Sequence, residues 1–180
     1  MNAVVSDIEL RSWFVVARHA YAIIDTQAVP QVEAILTSTG AAEWGRLARG
    51  AAPADGAEAW CVELTPDLAF SRWLLAGDGM MLEDWGVLAF SEQPFHEVRN
   101  HLRNLLEVQL PHGERVALRW YRPPALRALL PLCSAPQLTE VFGPVTAFAL
   151  HDGNRGSWVW LRLIGGRLDT QVSMPVRALP

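Results

Sequence analysis

The stretch Arg119–Val145, RWYRPPALRALLPLCSAPQLTEVFGPV, holds a strand end, two proline-led helices and a stop signal, and it divides the chain into two differently patterned parts. Arg119, Trp120 and Tyr121 alternate polar and aromatic, as the end of a half-buried strand does. Pro123 and Pro124 close that strand and open a short helix predicted over Ala125–Leu130, because a proline in the first helical turn gives up an N–H that has no helical acceptor anyway. Ser134 and Gln137 form Ser-x-x-Gln, a capping box ahead of the apolar residues Leu138 and Val141. Gly143 and Pro144 end that helix. The block contains no reactive constellation; its content is architectural.

On its N-terminal side, strands and helices alternate. Ser6-Asp7-Ile8-Glu9 reads as a capping box opening a helix to about Arg18. The apolar run Tyr21–Asp25 (YAIID) reads as a buried strand, and Pro30 as the first turn of a helix through about Ser38. Gly40–Gly56 is rich in Ala and Gly and predicts a mobile loop with a helical turn around Trp44. Ala59–Leu64 (AWCVEL) is a second strand. Thr65-Pro66-Asp67 supplies a cap, a proline and an acid suited to a positive helix end, and the helix it opens runs through Leu75 until Gly77-Asp78-Gly79 breaks it. Trp85–Ser91 is a third strand. Pro94 starts a helix to about Leu106, with Phe95, Val98, Leu102, Leu105 and Leu106 as its apolar stripe. Glu107–Leu110 and Arg115–Tyr121 flank Pro111-His112-Gly113-Glu114 as a hairpin.

On the C-terminal side only strands remain. Val145–Leu150, Ser157–Ile164 and Arg167–Ser173 form a predicted meander turning at Asp152-Gly153-Asn154 and at Gly165-Gly166, a strong two-residue hairpin signal. The order predicts an α+β fold: a mixed β-sheet with flanking helices over residues 1–145, and a small antiparallel β extension over 146–180.

At 180 residues, 51% apolar and 19% charged, the chain can bury one substantial core and is not of disordered composition. No apolar run reaches the ~18–20 residues that cross a bilayer. The N-terminus lacks a basic region before its first acids, so a secretory signal is not expected, and the chain is expected to stay in the cytoplasm. All fifteen basic residues are arginine and the net charge is −4. Scattered arginines on an acidic chain give no electrostatic footprint for nucleic acid, and fit the codon bias of a GC-rich genome. Cys61 and Cys133 could pair, but in a cytoplasmic protein are expected reduced and buried.

No catalytic or metal-binding pattern stands out. His96 and His101 are five apart on a predicted helix, so they do not share a face, and the other histidines fall near element ends or turns. Glu63 with Asp67, and Asp78 with Glu83 and Asp84, are conceivable carboxylate pairs, yet a helix start and a solvated loop explain them. Gly-x-Ser-x-Gly, phosphate-binding glycine loops and His-Glu-x-x-His are absent. No metal and no cofactor is expected. Two groups could recognise a protein. Arg99 and Arg103 lie one turn apart on the polar face of the Pro94 helix, where they could meet an acidic partner; the alternative is an ordinary solvated helix face. Trp158 and Trp160 point to one face of a strand that Arg162 continues, and aromatic rings with arginine are typical interface anchors. The alternative for the tryptophans is that they pack against the body of the protein.

Four segments in order resemble the adaptor-chaperone family of the bacterial type VI secretion system, domain-of-unknown-function proteins encoded beside VgrG spike and toxin genes. They are YAIIDTQ from Tyr21, CVELTPDLAFSRWLL from Cys61, WGVLAFSEQPFHEVRNHLRNLLEVQLPHGERVALRWYRPPALRALLP from Trp85, and QLTEVFGPV ending at Val145. The resemblance implies a cytoplasmic, non-enzymatic protein that binds a cognate toxic effector and helps load it onto VgrG. Its partners would be the effector and the spike, with no nucleic acid and no membrane. Trp158, Trp160, Arg162, Arg99 and Arg103 are the expected partner-binding residues, on an apolar groove or sheet edge. A small immunity protein that neutralises a toxin is the alternative. Two departures stand out: family members usually carry an acid at the position of Arg122 and a base at that of Pro124, and many have a longer C-terminal lobe.

Overall fold

The computed structural model describes residues 7–50, 56–152 and 157–173. Its elements are α1 (Asp7–Ser12), β1 (His19–Asp25), α2 (Val32–Thr39), β2 (Trp44–Arg46), β3 (Ala59–Leu64), α3 (Ala69–Ala76), β4 (Gly86–Ser91), α4 (Phe95–Asn104), β5 (Glu107–Gln109) and β6 (Arg115–Ala117). Then follow α5 (Pro123–Leu129), α6 (Ala135–Phe142), β7 (Val145–Asp152), β8 (Ser157–Ile164) and β9 (Arg167–Ser173). A seven-stranded sheet in the order β2-β3-β1-β4-β7-β8-β9 forms the centre, and β5 with β6 makes a separate two-stranded ribbon. The α+β class follows from the alternation read above. Every pairing between described strands is antiparallel, where the sequence suggested a mixed sheet.

Antiparallel sheets often leave one face wet and show alternating patterning. Here the central strands β1 and β4 are covered on both faces, which is why YAII and GVLAF are continuously apolar. On one face Tyr21, Ile23, Cys61, Val87, Ala89, Phe148 and Leu150 meet Phe95, Val98 and Leu102 of α4, Leu126 of α5, and Leu138 and Phe142 of α6. On the other, Ala22, Ile24, Val62, Leu88, Phe90 and Trp158 meet Leu10 of α1, Val32 and Leu36 of α2, and Phe70 and Leu74 of α3. The helices that precede β4 thus cover one face and those that follow it cover the other.

The C-terminal meander continues the main sheet: β7 lies against β4, with Leu88 opposite Ala149 and Phe90 opposite Ala147. Between Phe90 and Ser91 the register shifts, so Val145 pairs with Ser91 and Thr146 is the extra residue of a β-bulge. Thr146 Oγ1 donates to the Phe90 carbonyl at 3.1 Å, tying the bulge down. Gly86 also has a structural reason. Its φ is +151°, and a Cβ there would overlap the Ile23 carbonyl oxygen.

Local differences have local causes. Arg119 lies beyond the end of a short β6 and Trp120–Tyr121 is a turn, both of its residues buried against the helical layer. Trp44 lies in a strand, not a helical turn, since Trp44–Arg46 pairs with Trp60–Val62. The helix expected to reach Arg18 ends at Ser12 and passes into a 3-10 turn over Trp13–Val15. Leu68, not Thr65, is the N-cap of α3. The capping box of Ser134 and Gln137 forms with both of its hydrogen bonds. The capping box at Ser6 and most of the Asp152-Gly153-Asn154 turn lie outside the described residues. No described helix is long and apolar enough to cross a membrane.

Trp158 is 1% exposed and sits edge-on to Trp13, with ring centroids 4.6 Å apart. Trp158→Ala is expected to cost about 3–5 kcal/mol of unfolding free energy, the range for large aromatic truncations in cores. Trp160→Ala, at a half-buried position, should cost less. Urea denaturation followed by circular dichroism measures both, and an unchanged midpoint for Trp158→Ala would contradict its core role.

Candidate functional site

α4 buries Phe95, Val98 and Leu102, so Arg99 and Arg103 emerge on its other side, one turn apart. That side faces β2. Arg99 donates through Nε (3.0 Å) and Nη2 (2.6 Å) to the Arg46 carbonyl, and Arg103 donates through Nε to the Leu47 carbonyl at 2.7 Å. Gly45 makes room for this: a Cβ there would lie 3.2 Å from the Arg99 guanidinium carbon. Arg46 is itself ion-paired with Glu58. The two arginines expected to meet a partner are therefore engaged within the chain, closing the outer edge of β2. Local spacing placed them on one face, but what that face meets depends on a loop far away in sequence.

Between the end of α4, the β5–β6 ribbon and the residues on either side of the 51–55 segment lies a groove of about 710 Å³. Its charged lining is Arg49, Arg103, Arg115 and Arg119 against Glu58 and Glu107. Glu107 lies 3.9 Å from Arg115. Burial, and then the neighbouring Arg99 and Arg49, lower the Arg103 pKa from the ordinary arginine value, with Cys61 opposing. Positive charge is thus concentrated here on an acidic chain. No sequence signal marked the groove, since its walls come from three distant segments. Its lining suits recognition of a polar, acidic surface.

The aromatic group separates into two parts. Trp158 belongs to the core, packed against Trp13, Trp85 and His151. Trp160 is half-buried, stacked with Trp13 and Phe90, and its Nε1 donates to Ser173 Oγ at 2.9 Å. The Arg162 guanidinium lies over the Trp160 ring, 5.4 Å from its centroid. Of the three, Trp158 is closed to any partner in this conformation, because Trp13 roofs it.

Polar groups weighed for chemistry are bound up in structural contacts. His19 Nδ1 lies 2.9 Å from Glu63 Oε1, Asp67 pairs with Arg11, and His101 Nε2 lies 2.9 Å from the Val141 carbonyl oxygen. Cys61 and Cys133 are free thiols. Burial pushes the Cys61 pKa up to about 12, which removes it as a nucleophile near neutral pH. Among the described residues no three His, Cys, Asp or Glu side chains are grouped to hold a metal ion. Asp25 is 2% exposed, and its carboxylate accepts from the Gln27 N–H and lies 3.3 Å from Arg122 Nε. Arg122 therefore sets its charge beside a buried acid.

His151 is buried, its Nδ1 without a hydrogen-bond partner among the described residues, and burial lowers its pKa, with Asp152 opposing. The unfolded chain takes up a proton near the ordinary histidine value of about 6.5, while the folded chain resists it to lower pH. The stability contributed by neutral His151 is complete above about pH 6.5 and is lost as pH falls below that value through the folded pKa. The urea midpoint should therefore drop between about pH 7.5 and pH 5.5, and drop less in His151→Gln. Equal drops in the two proteins would exclude His151 as the titrating group.

Comparison with known proteins places this geometry in a family. A family model described as a domain of unknown function (DUF4123) matches residues 20–140, from β1 to the last turn of α6. No curated protein and no solved structure gave a match. The matched segment spans six of the nine described strands and helices of both layers, while β7–β9 lie beyond it. The chain belongs to the DUF4123 family.

Proposed function

We propose that the chain is a cytoplasmic adaptor of type VI secretion, which binds a cognate toxic effector and helps load it onto the VgrG spike. The observation that carries this reading is the DUF4123 match over residues 20–140, a region that holds three of the four segments resembling such adaptors and the start of the fourth. The contacts described above favour recognition over catalysis: Glu63, Asp67 and His101 are tied to neighbouring groups within the fold. The groove beside the β5–β6 ribbon is the recognition surface on this reading. Arg49 and Arg115 are its anchors, with Arg103 held at its wall, and the Trp160–Arg162 pair is a second, smaller contact point.

Co-expression with the neighbouring reading frames, followed by affinity capture, tests the proposal. A complex with an adjacent toxin or a VgrG-type spike is expected. Arg49→Glu combined with Arg115→Glu should weaken capture at least roughly tenfold, as loss of two charged anchors at an interface does, without shifting the thermal midpoint. Capture of neither protein overturns the adaptor reading. Capture of a toxin through its catalytic domain, with loss of toxin activity, identifies an immunity protein instead.

A further inference from the structure

The two edges of the main sheet are treated differently. At one edge β2 is only three residues long, and its outward Arg46 carbonyl is taken by Arg99. At the other, β9 runs seven residues, contains no proline, and pairs with β8 alone among the described strands. Natural sheets usually blunt such an edge with prolines, bulges or short strands. Val172 on β9 is 66% exposed and Ile164, just before the hairpin turn, is 58% exposed.

The phase of β9 is fixed by its turn. Gly165 and Gly166 have φ of 57° and 77°, the two positive values of a type I′ hairpin, so Ile164 and Arg167 form the hydrogen-bonded pair that closes it. Alternation then directs the backbone N–H and C=O of Leu168, Thr170 and Val172 outward. Their side chains lie on the same face as Val159, Leu161 and Leu163, while those of Arg167, Asp169, Gln171 and Ser173 lie on the face of Trp158 and Trp160.

We propose that β9 is a self-pairing edge, on which β9 of a second copy adds antiparallel across a two-fold axis at Thr170. This is the one centring that uses all seven residues. Thr170 stands opposite Thr170 of the second copy, and Leu168 opposite its Val172, so apolar meets apolar on one face. On the other face Asp169 stands opposite Gln171 and Arg167 opposite Ser173 of the second copy, so no like charges meet directly. Centring on Asp169 would oppose two carboxylates, which destabilises a cross-strand pair. The six outward backbone groups of each copy are satisfied, and two seven-stranded sheets join into one.

Sedimentation of the purified chain over a range of concentrations is expected to show a reversible monomer–dimer equilibrium. Thr170→Pro should give a monomer with unchanged circular dichroism, because that N–H points outward and serves no pairing with β8. Thr170→Arg, which leaves the backbone donor in place and sets two guanidiniums across the axis, should also give a monomer. Register is read by mild oxidation of variants carrying one added cysteine in a Cys133→Ser background, where the remaining Cys61 is fully buried. Residues opposite each other at a hydrogen-bonded pair have Cα atoms about 5.5 Å apart, within disulfide reach, while diagonal ones at about 7–8 Å are outside it. Thr170→Cys should therefore cross-link roughly tenfold or more faster than Asp169→Cys. A chain that stays monomeric at the highest soluble concentration overturns the proposal and leaves the edge to an extended segment of another protein. Equal cross-linking at both positions overturns the register and the two-fold with it.

Discussion

Burial of β1 and β4 on both faces is the constraint on which the rest of the structure depends. Ala22, Ile23 and Ile24 in β1, and Val87, Leu88 and Ala89 in β4, are at most 1% exposed. A strand with apolar side chains above and below needs a helical layer on each side, because an uncovered face would leave that surface in water at about 25 cal/mol for every Å². The chain meets this demand in sequence order. The helices before β4 turn to one face and those after it to the other, so neither half of the chain completes a core alone. Gly86 sits within the sheet opposite Ile24, its missing side chain allowing β4 to press against the Ile23 carbonyl of β1.

Arginine serves this fold in a way that composition did not suggest. A guanidinium is a planar fork, and it can donate two hydrogen bonds to one acceptor while keeping its charge close to water. Arg99 does this to a backbone carbonyl on the edge strand, and Arg103 holds the next residue along. Arg122 brings the same group to the buried carboxylate of Asp25. Removal of one member of such a pair leaves a desolvated polar group behind, which costs more than the pair itself contributes. These arginines are scattered in sequence because their acceptors are scattered, so the absence of a basic stripe reflects internal use.

The strand and helix cores were legible because their signals are local. Ala59–Leu64, Ser157–Ile164 and Arg167–Ser173 could be bounded from apolar runs and turn glycines, and the Ser134–Gln137 capping box forms as its spacing requires. Failures came where tertiary contacts override local pattern. Trp44 looked like part of a loop because a three-residue edge strand has no periodicity to detect, and only Trp60–Val62 beside it makes it a strand. The ambiguity of Trp158 and Trp160 lay in which layer covers their face. Trp13, more than a hundred positions earlier, covers it. The groove was invisible for the same reason: three segments distant in sequence form its walls. A buried His151 beside Trp158 also had no sequence signature, since a histidine near a strand end is more often wet.

The bulge at Thr146 acts as a phase marker for everything that follows it. Before it, Val145 points to the face of α4–α6; after it, Ala147 points to the opposite face, with the one-residue offset absorbed at a single position. Side chains alternate with a period of two, so the parity set at that point is inherited by β7 and, through unbroken pairing, by β8 and β9. Loss of one residue there would work like a frameshift written in space rather than in codons. Phe148 and Leu150 would exchange faces with the small Ala147 and Ala149, and two layers shaped for opposite neighbours would be inverted together. The junction between the family segment and its C-terminal strands therefore tolerates changes of residue far better than changes of length.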